Sequence, residues 1–217
     1  LGGVVSYNTL TVDDILEEGE TIKYEFPTTF NSATDYLGGA ARIAYRDEES
    51  GLSFLTVLSK SERNQLKPNG AEDEYINSAD ISTNAALLNV NKQIDPSNKI
   101  GFTIDIYSKD RDIARSSGNL STSYFNYTKQ ESDVNQNKNR YILSWEHDAV
   151  DKTKFVDNLK AKIYYQDYET RDNWNEFQAE KFFFGSLLNE DRDVKSRYKL
   201  KDDSYGFDLQ LGSNINN

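Results

Sequence analysis

Ile100-Gly-Phe-Thr-Ile-Asp-Ile-Tyr107 is the stretch that decides the fold. Ile100, Phe102, Ile104 and Ile106 fall on one side of an extended chain and Thr103, Asp105 and Tyr107 on the other. A period of two is the signature of a strand lying between unlike surroundings, because successive side chains of a strand point to opposite faces. The same alternation recurs on both sides of this segment. Upstream it is carried by Ile22, Tyr24 and Phe26, by Leu37, Ala41, Ile43 and Tyr45, and by Ala86, Leu88 and Val90. Downstream it is carried by Tyr141, Leu143 and Trp145, by Leu159, Ala161, Ile163 and Tyr165, and by Tyr205, Phe207, Leu209 and Leu211. One further strand, Leu52 to Lys60, has apolar residues of both parities, with Leu55 and Val57 against Phe54 and Leu58, so its outer face is left unassigned.

The expected architecture is all-β: an antiparallel up-and-down meander of about eight strands. Its connections alternate in length. Asp47 to Gly51 and Asp95 to Asn98 read as tight turns, whereas Asn64 to Ser78, Ala114 to Asn139 and Arg171 to about Arg192 read as long polar segments. The loop Asn31 to Asp35 is short, and the turn Asp148 to Asn158 is longer than the other tight ones. Ahead of the strands, Thr11 and Asp14 have capping-box spacing, Ile15 and Leu16 supply an apolar contact, and Gly19 ends what reads as a short connector helix.

Composition removes several function classes. The 217 residues carry a net charge of −11, which disfavours nucleic acid as a partner. With no cysteine there are no disulfides, thiolate metal sites or cysteine nucleophiles. No window is apolar over the roughly 18 residues a transmembrane helix needs, but a barrel strand crosses with only about 9–11 residues and one apolar face. No phosphate-binding glycine loop, persuasive Ser-His-Asp spacing or zinc-type histidine cluster is present, so no enzymatic activity and no metal site are expected. The acidic run Glu72, Asp73 and Glu74 lacks the alternating ligand spacing of a calcium loop, and Asp202 and Asp203 read as solvated loop charge.

One apolar and one polar face per strand fits two situations. A soluble sheet has one side on a core and the other in water; a membrane barrel has one side in lipid and the other lining a wet lumen. Unequal ends and aromatics at strand ends (Tyr45, Trp145, Tyr165 and Tyr205) favour the barrel, where such residues form interfacial girdles. The other aromatics of note lie in the long segments. Tyr124, Phe125 and Tyr127 in the segment Ala114 to Asn139, with Trp174 and Phe177 in the segment Arg171 to about Arg192, are candidates for protein or porphyrin contact. Equally, they could pin their own loops or continue tall strands above a membrane. His147, the single histidine, is flanked by Glu146 and Asp148 but stands at a strand end among the tight turns, which favours a structural role.

Leu1 to Glu20, LGGVVSYNTLTVDDILEEGE, resembles the plug-to-barrel junction of TonB-dependent outer-membrane receptors, in particular the heme and hemoglobin branch, with a Gly-Gly-Val-Val strand, a Tyr-Asn-Thr and a short acidic helix. The resemblance extends at lower specificity along the rest of the chain. It implies that residues 1–20 are the end of a plug domain and its connector, and that 21–217 are the N-terminal part of a transmembrane β-barrel. It further implies residence in the bacterial outer membrane, contact with its lipid, and TonB-driven uptake of heme, or of heme from hemoglobin, with heme as transported ligand and no covalent cofactor. If Thr21 starts on the periplasmic side, the long loops lie outside the cell, and His147 lies at the opposite rim from the histidines that capture heme in similar receptors. The TonB box and the FRAP and NPNL motifs of hemoglobin receptors are absent from this sequence, so a siderophore or another iron carrier stands as the alternative cargo and no ligand-binding residue is carried over. The rival of another class is a soluble or surface β-rich binding module. That module requires the sheet to close within the chain, whereas the barrel reading requires a single meander with unpaired first and last strands.

Overall fold

The computed structural model describes residues 10–64, 78–115, 126–149, 157–179, 181–183, 186–189 and 192–212. Among these residues eleven strands follow a 3-10 turn at Val12–Asp14: β1 (Ile22–Glu25), β2 (Thr28–Asn31), β3 (Tyr36–Asp47), β4 (Leu52–Asn64), β5 (Ser78–Asp95), β6 (Asn98–Arg115), β7 (Asn126–Asp148), β8 (Asn158–Ala179), β9 (Lys181–Phe183), β10 (Ser186–Asn189) and β11 (Arg192–Gly212). Nine of them form one antiparallel sheet in the order β1-β3-β4-β5-β6-β7-β8-β11, with β2 pairing β3 beyond the end of β1. The remaining pair, β9 and β10, is a small hairpin between β8 and β11. The sheet does not close, so β1 with β2 at one side and β11 at the other are edges.

The expected eight strands correspond to β1, β3 to β8 and β11. β2 continues the register of β1 along β3 after an interruption at Phe26 and Pro27, where proline cannot donate to a ladder. The short turns fall where expected, at 48–51 and 96–97.

Two of the three expected long loops are in large part strand. β7 begins at Asn126, so its first half lies in the expected loop from Ala114 to Asn139, and β8 runs on to Ala179 through the one from Arg171. Asp202 and Asp203 are likewise in β11 rather than in a loop. These extensions are largely polar on both sides, which erases the alternation while the backbone ladder continues: β7 and β8 stay paired from Asn126↔Ala179 to Asp148↔Asn158, with one register shift between Tyr127 and Lys129. The remaining long segment, Asn64 to Ser78 with Glu72, Asp73 and Glu74, lies mostly outside the described residues.

The core is small and lies against one face only. Val12, Ile15 and Leu16 of the 3-10 turn are buried against Ala44 and Leu55, which are fully buried, with Val57 and Leu87 packed beside them. Thr11 and Asp14 hold the turn as their spacing predicts: the Thr11 backbone N–H and hydroxyl both donate to Asp14 Oδ2, at 2.7 and 2.9 Å. Gly19, at φ 82°, takes the left-handed conformation that releases the chain towards β1. Polar ties add to the apolar contact: Arg46 pairs with Asp13, and Lys23 Nζ donates to the Ile15 carbonyl at 3.1 Å. Total accessible surface is 15427 Å² for 24.8 kDa, against roughly 10,000 Å² for a compact soluble monomer of that mass.

Candidate functional site

Register partners in an antiparallel ladder share a face, so the pairings sort the side chains without ambiguity. Tyr45, Phe54, Val90, Phe102, Leu143, Ile163 and Phe207 are successive partners across the sheet, and Ile22 on β1 joins Tyr45. The adjacent row is Tyr24, Ile43, Thr56, Leu88, Ile104, Tyr141, Tyr165 and Tyr205. This open face carries large apolar groups in contact with solvent, among them Phe207 at 65 % and Ile163 at 52 % exposed. The opposite face, which bears the 3-10 turn, is polar and better covered: Asn89 and Thr103 are buried there, joined by a 2.8 Å bond from Asn89 Nδ2 to Thr103 Oγ1.

The apolar band has a definite height. On β8 it runs from Leu159 to Tyr165, about 20 Å along the strand at roughly 3.3 Å per residue, comparable to the roughly 25 Å band of outer-membrane barrels. Above it β8 becomes polar at Asp167, whose row-mates are Asn139 and Asp203. The band also crosses the register obliquely. On β3 it reaches up to Leu37, whose row continues through Glu62, Ser82, Asp110, Asn135 and Arg171 to Lys199. On β8 and β11 it stops at Tyr165 and Tyr205 and extends instead down to Leu159 and Leu211. The apolar band and the strand register are therefore not parallel.

Aromatic residues mark the limits of the band. Tyr141, Tyr165 and Tyr205 line its upper edge, with ring centroids 6.3 Å apart for the first pair and 5.4 Å for the second, and Tyr165 Oη donates to Asp203 at 3.3 Å. Tyr45 and Phe54 stack at 5.3 Å near the lower edge, and Trp145 Nε1 donates to Asn98 Oδ1 at 3.2 Å. Tyr165 and Tyr205 are thus mid-strand, not at strand ends as expected; what they mark is the change of surface chemistry.

The polar face is laced by short-range pairs: Arg42 to Glu25 at 3.2 Å, Lys138 to Asp105 at 3.4 Å, Lys160 to Glu146 at 3.8 Å. Arg140 lies over the Tyr164 ring at 5.3 Å, and that ring in turn lies across Gly206, where any Cβ would meet it at 2.1 Å. Gly206 is therefore the residue that lets Tyr164 lie flat on the sheet.

The contact candidates from the sequence are distributed, not gathered. Trp174 and Phe177 are on β8 rather than in a loop, and on opposite faces: Trp174 shares a row with Ile113 and Ser132 on the polar face, while Phe177 is on the open side, well above the apolar band. Trp174 Nε1 donates to Glu176 Oε2 at 3.3 Å. Tyr127 belongs to β7, and Tyr124 and Phe125 lie outside the described residues. His147 is at the lower end of β7, its Nδ1 3.0 Å from Asn98 Oδ1, in a contact that knits it to the start of β6. Among the described residues no helix is long and apolar enough to cross a membrane, which says nothing of strands. Compared with known proteins, the sequence matches no family model and no curated protein.

Proposed function

We propose that the chain forms part of the wall of an outer-membrane β-barrel, the N-terminal strands of a TonB-dependent receptor that imports heme or heme taken from hemoglobin, with residues 1–20 as the junction to its plug. The observation that carries the barrel part is the inverted sheet: apolar side chains on the exposed face, hydrogen-bonded polar ones on the covered face. Water on both sides would leave that apolar band costly, and lipid on one side removes the cost. Support also comes from the oblique band, the tyrosine edge and the meander with two free edges, which a self-contained soluble module would not leave. The 3-10 turn docks on the lumenal face in this reading, where a connector from an internal plug would reach the wall. Heme rests on the likeness of Leu1 to Glu20 to heme-receptor junctions, so a siderophore or another iron carrier is the second reading. Refolding tests the proposal: the chain is expected to aggregate in water and to give a monodisperse, cooperatively unfolding β-protein in detergent micelles. A monodisperse, cooperatively unfolding protein in water alone would overturn it in favour of the soluble module.

A further inference from the structure

The charges on the turn-bearing face are unevenly mixed. On β6 that face carries Asp105, Tyr107, Lys109 and Arg111, and on the paired β7 it carries Arg140, Lys138, Gln136 and Val134 opposite them in that order. Same-face residues repeat about every 6.6 Å along a strand and opposite Cβ atoms lie about 5 Å apart, so four cations occupy a strip roughly 20 Å long and two strands wide. Asp105 engages Lys138 alone, at 3.4 Å. Lys109, Arg111 and Arg140 make no ion pair among the described residues, and Arg140 Nε is buried without a hydrogen-bond partner. On the flanking strands the same rows supply Ile81, Thr83, Ala85 and Leu87 from β5, and from β8 a single carboxylate, Asp172, which accepts from Ser132 Oγ at 2.7 Å. Four cations therefore face two carboxylates within a chain whose net charge is −11.

Clustered like charges without counterions repel one another, and such a strip is relieved by a visiting anion, whose local concentration it raises. We propose that Arg140, Lys109 and Arg111 form an anion track on the lumenal face, selecting cargo that carries several anionic oxygens, carboxylates above all. The track rests on the outer-membrane reading for its position on the wall of a passage, but its charge geometry is a property of β6 and β7 themselves.

The test is calorimetric titration of the 217-residue chain, folded in neutral micelles, with citrate, inorganic phosphate and spermidine as probes. Citrate is expected to bind, more tightly than phosphate and with an affinity that falls as salt is raised, and spermidine not to bind. K109Q/R111Q/R140Q is expected to weaken citrate at least tenfold, and K109Q/R111Q, which keeps the Arg140 contact with Tyr164, at least threefold. Lys162→Gln, on the same face below the track, is expected to stay within twofold. A micelle-folded chain that ignores citrate, or binds it equally in all variants, overturns the track and leaves the barrel reading standing. A chain that folds in water and still binds citrate through these residues supports the track and overturns the membrane reading.

Discussion

Phe102 and Thr103 are adjacent in the chain and opposite in surroundings: Phe102 is 41 % exposed on the open face, Thr103 8 % exposed on the other. The contrast repeats at Leu143 against Ser144 and at Ile163 against Tyr164, and outside the patch covered by the 3-10 turn it reverses the rule for a soluble sheet, where the apolar side is the covered one. In the proposed barrel the reversal follows from unlike solvents on the two sides of the sheet. Equal substitutions on neighbouring residues should then have unequal effects, which gives direct ways to break the comparison.

The largest effect is expected from Leu143→Arg in the middle of the apolar band, at about 2–4 kcal/mol in micelle or bilayer unfolding, because a lipid-facing charge at the midplane is costly. Lys162→Gln, on the other face and nearly level with it, is expected to stay within about 0.5 kcal/mol. Equal effects at the two positions would remove the distinction between the faces.

Leu16→Ala is expected to cost about 2 kcal/mol, the lower end for truncating a buried leucine, because its cluster with Val12, Ile15, Ala44 and Leu55 is small. The measurement is denaturant unfolding in micelles, with proteolysis at the N-terminal segment reporting undocking of the turn.

Asn89→Ala on the covered face is expected to cost about 1–2 kcal/mol, since it leaves the Thr103 hydroxyl without its 2.8 Å partner in a buried position. An unchanged unfolding midpoint would show that water reaches this face freely.

The smallest effect concerns the polar extensions above the band. A hydrogen bond from Lys199, with Arg171 alongside, holds the Glu169 carboxyl below the usual carboxylate range, and the bond to Asp203 holds the Lys201 ammonium above its ordinary value. A depressed carboxylate contributes stability above its unfolded value and loses it as pH falls through the folded one; a raised ammonium contributes below its unfolded value and loses it as pH rises through the folded one. The gap in stability between wild type and Glu169→Gln should therefore be present at neutral pH and narrow on acidification. That between wild type and Lys201→Gln should narrow instead in strong alkali. Lys201 is exposed and Glu169 half-buried, so salt should shrink the Lys201 gap more than the Glu169 gap.

The band was legible in the sequence because alternation survives wherever the two faces differ, and the tight turns and the Thr11 cap because their residue types act locally. Three features were hidden for physical reasons. The upper halves of β7, β8 and β11 are polar on both sides, as a ladder standing in water can be, so nothing distinguishes them from loops in a hydropathy pattern. β4 had apolar residues on both parities because the 3-10 turn covers Leu55 and Val57 while Phe54 and Leu58 face outward, a contact made across the fold. Trp174 and Phe177 read as contact candidates in one loop, but an odd spacing of three on a strand sends them to opposite faces. The cation strip left a weak trace, Lys109 with Arg111 and Lys138 with Arg140 at spacing two, which becomes a cluster only when β6 and β7 are in register.

The two tryptophans test the central claim most directly, since Trp145 lies on the open face within the band and Trp174 on the turn-bearing face above it. Single-tryptophan chains, Trp174→Phe and Trp145→Phe, would be folded into bilayers containing brominated lipid, with acrylamide as the aqueous quencher. The account predicts that bromine quenches Trp145 strongly and Trp174 weakly, with acrylamide giving the reverse order. Equal quenching of both by acrylamide and of neither by bromine would contradict it, and would place water on both faces of the sheet.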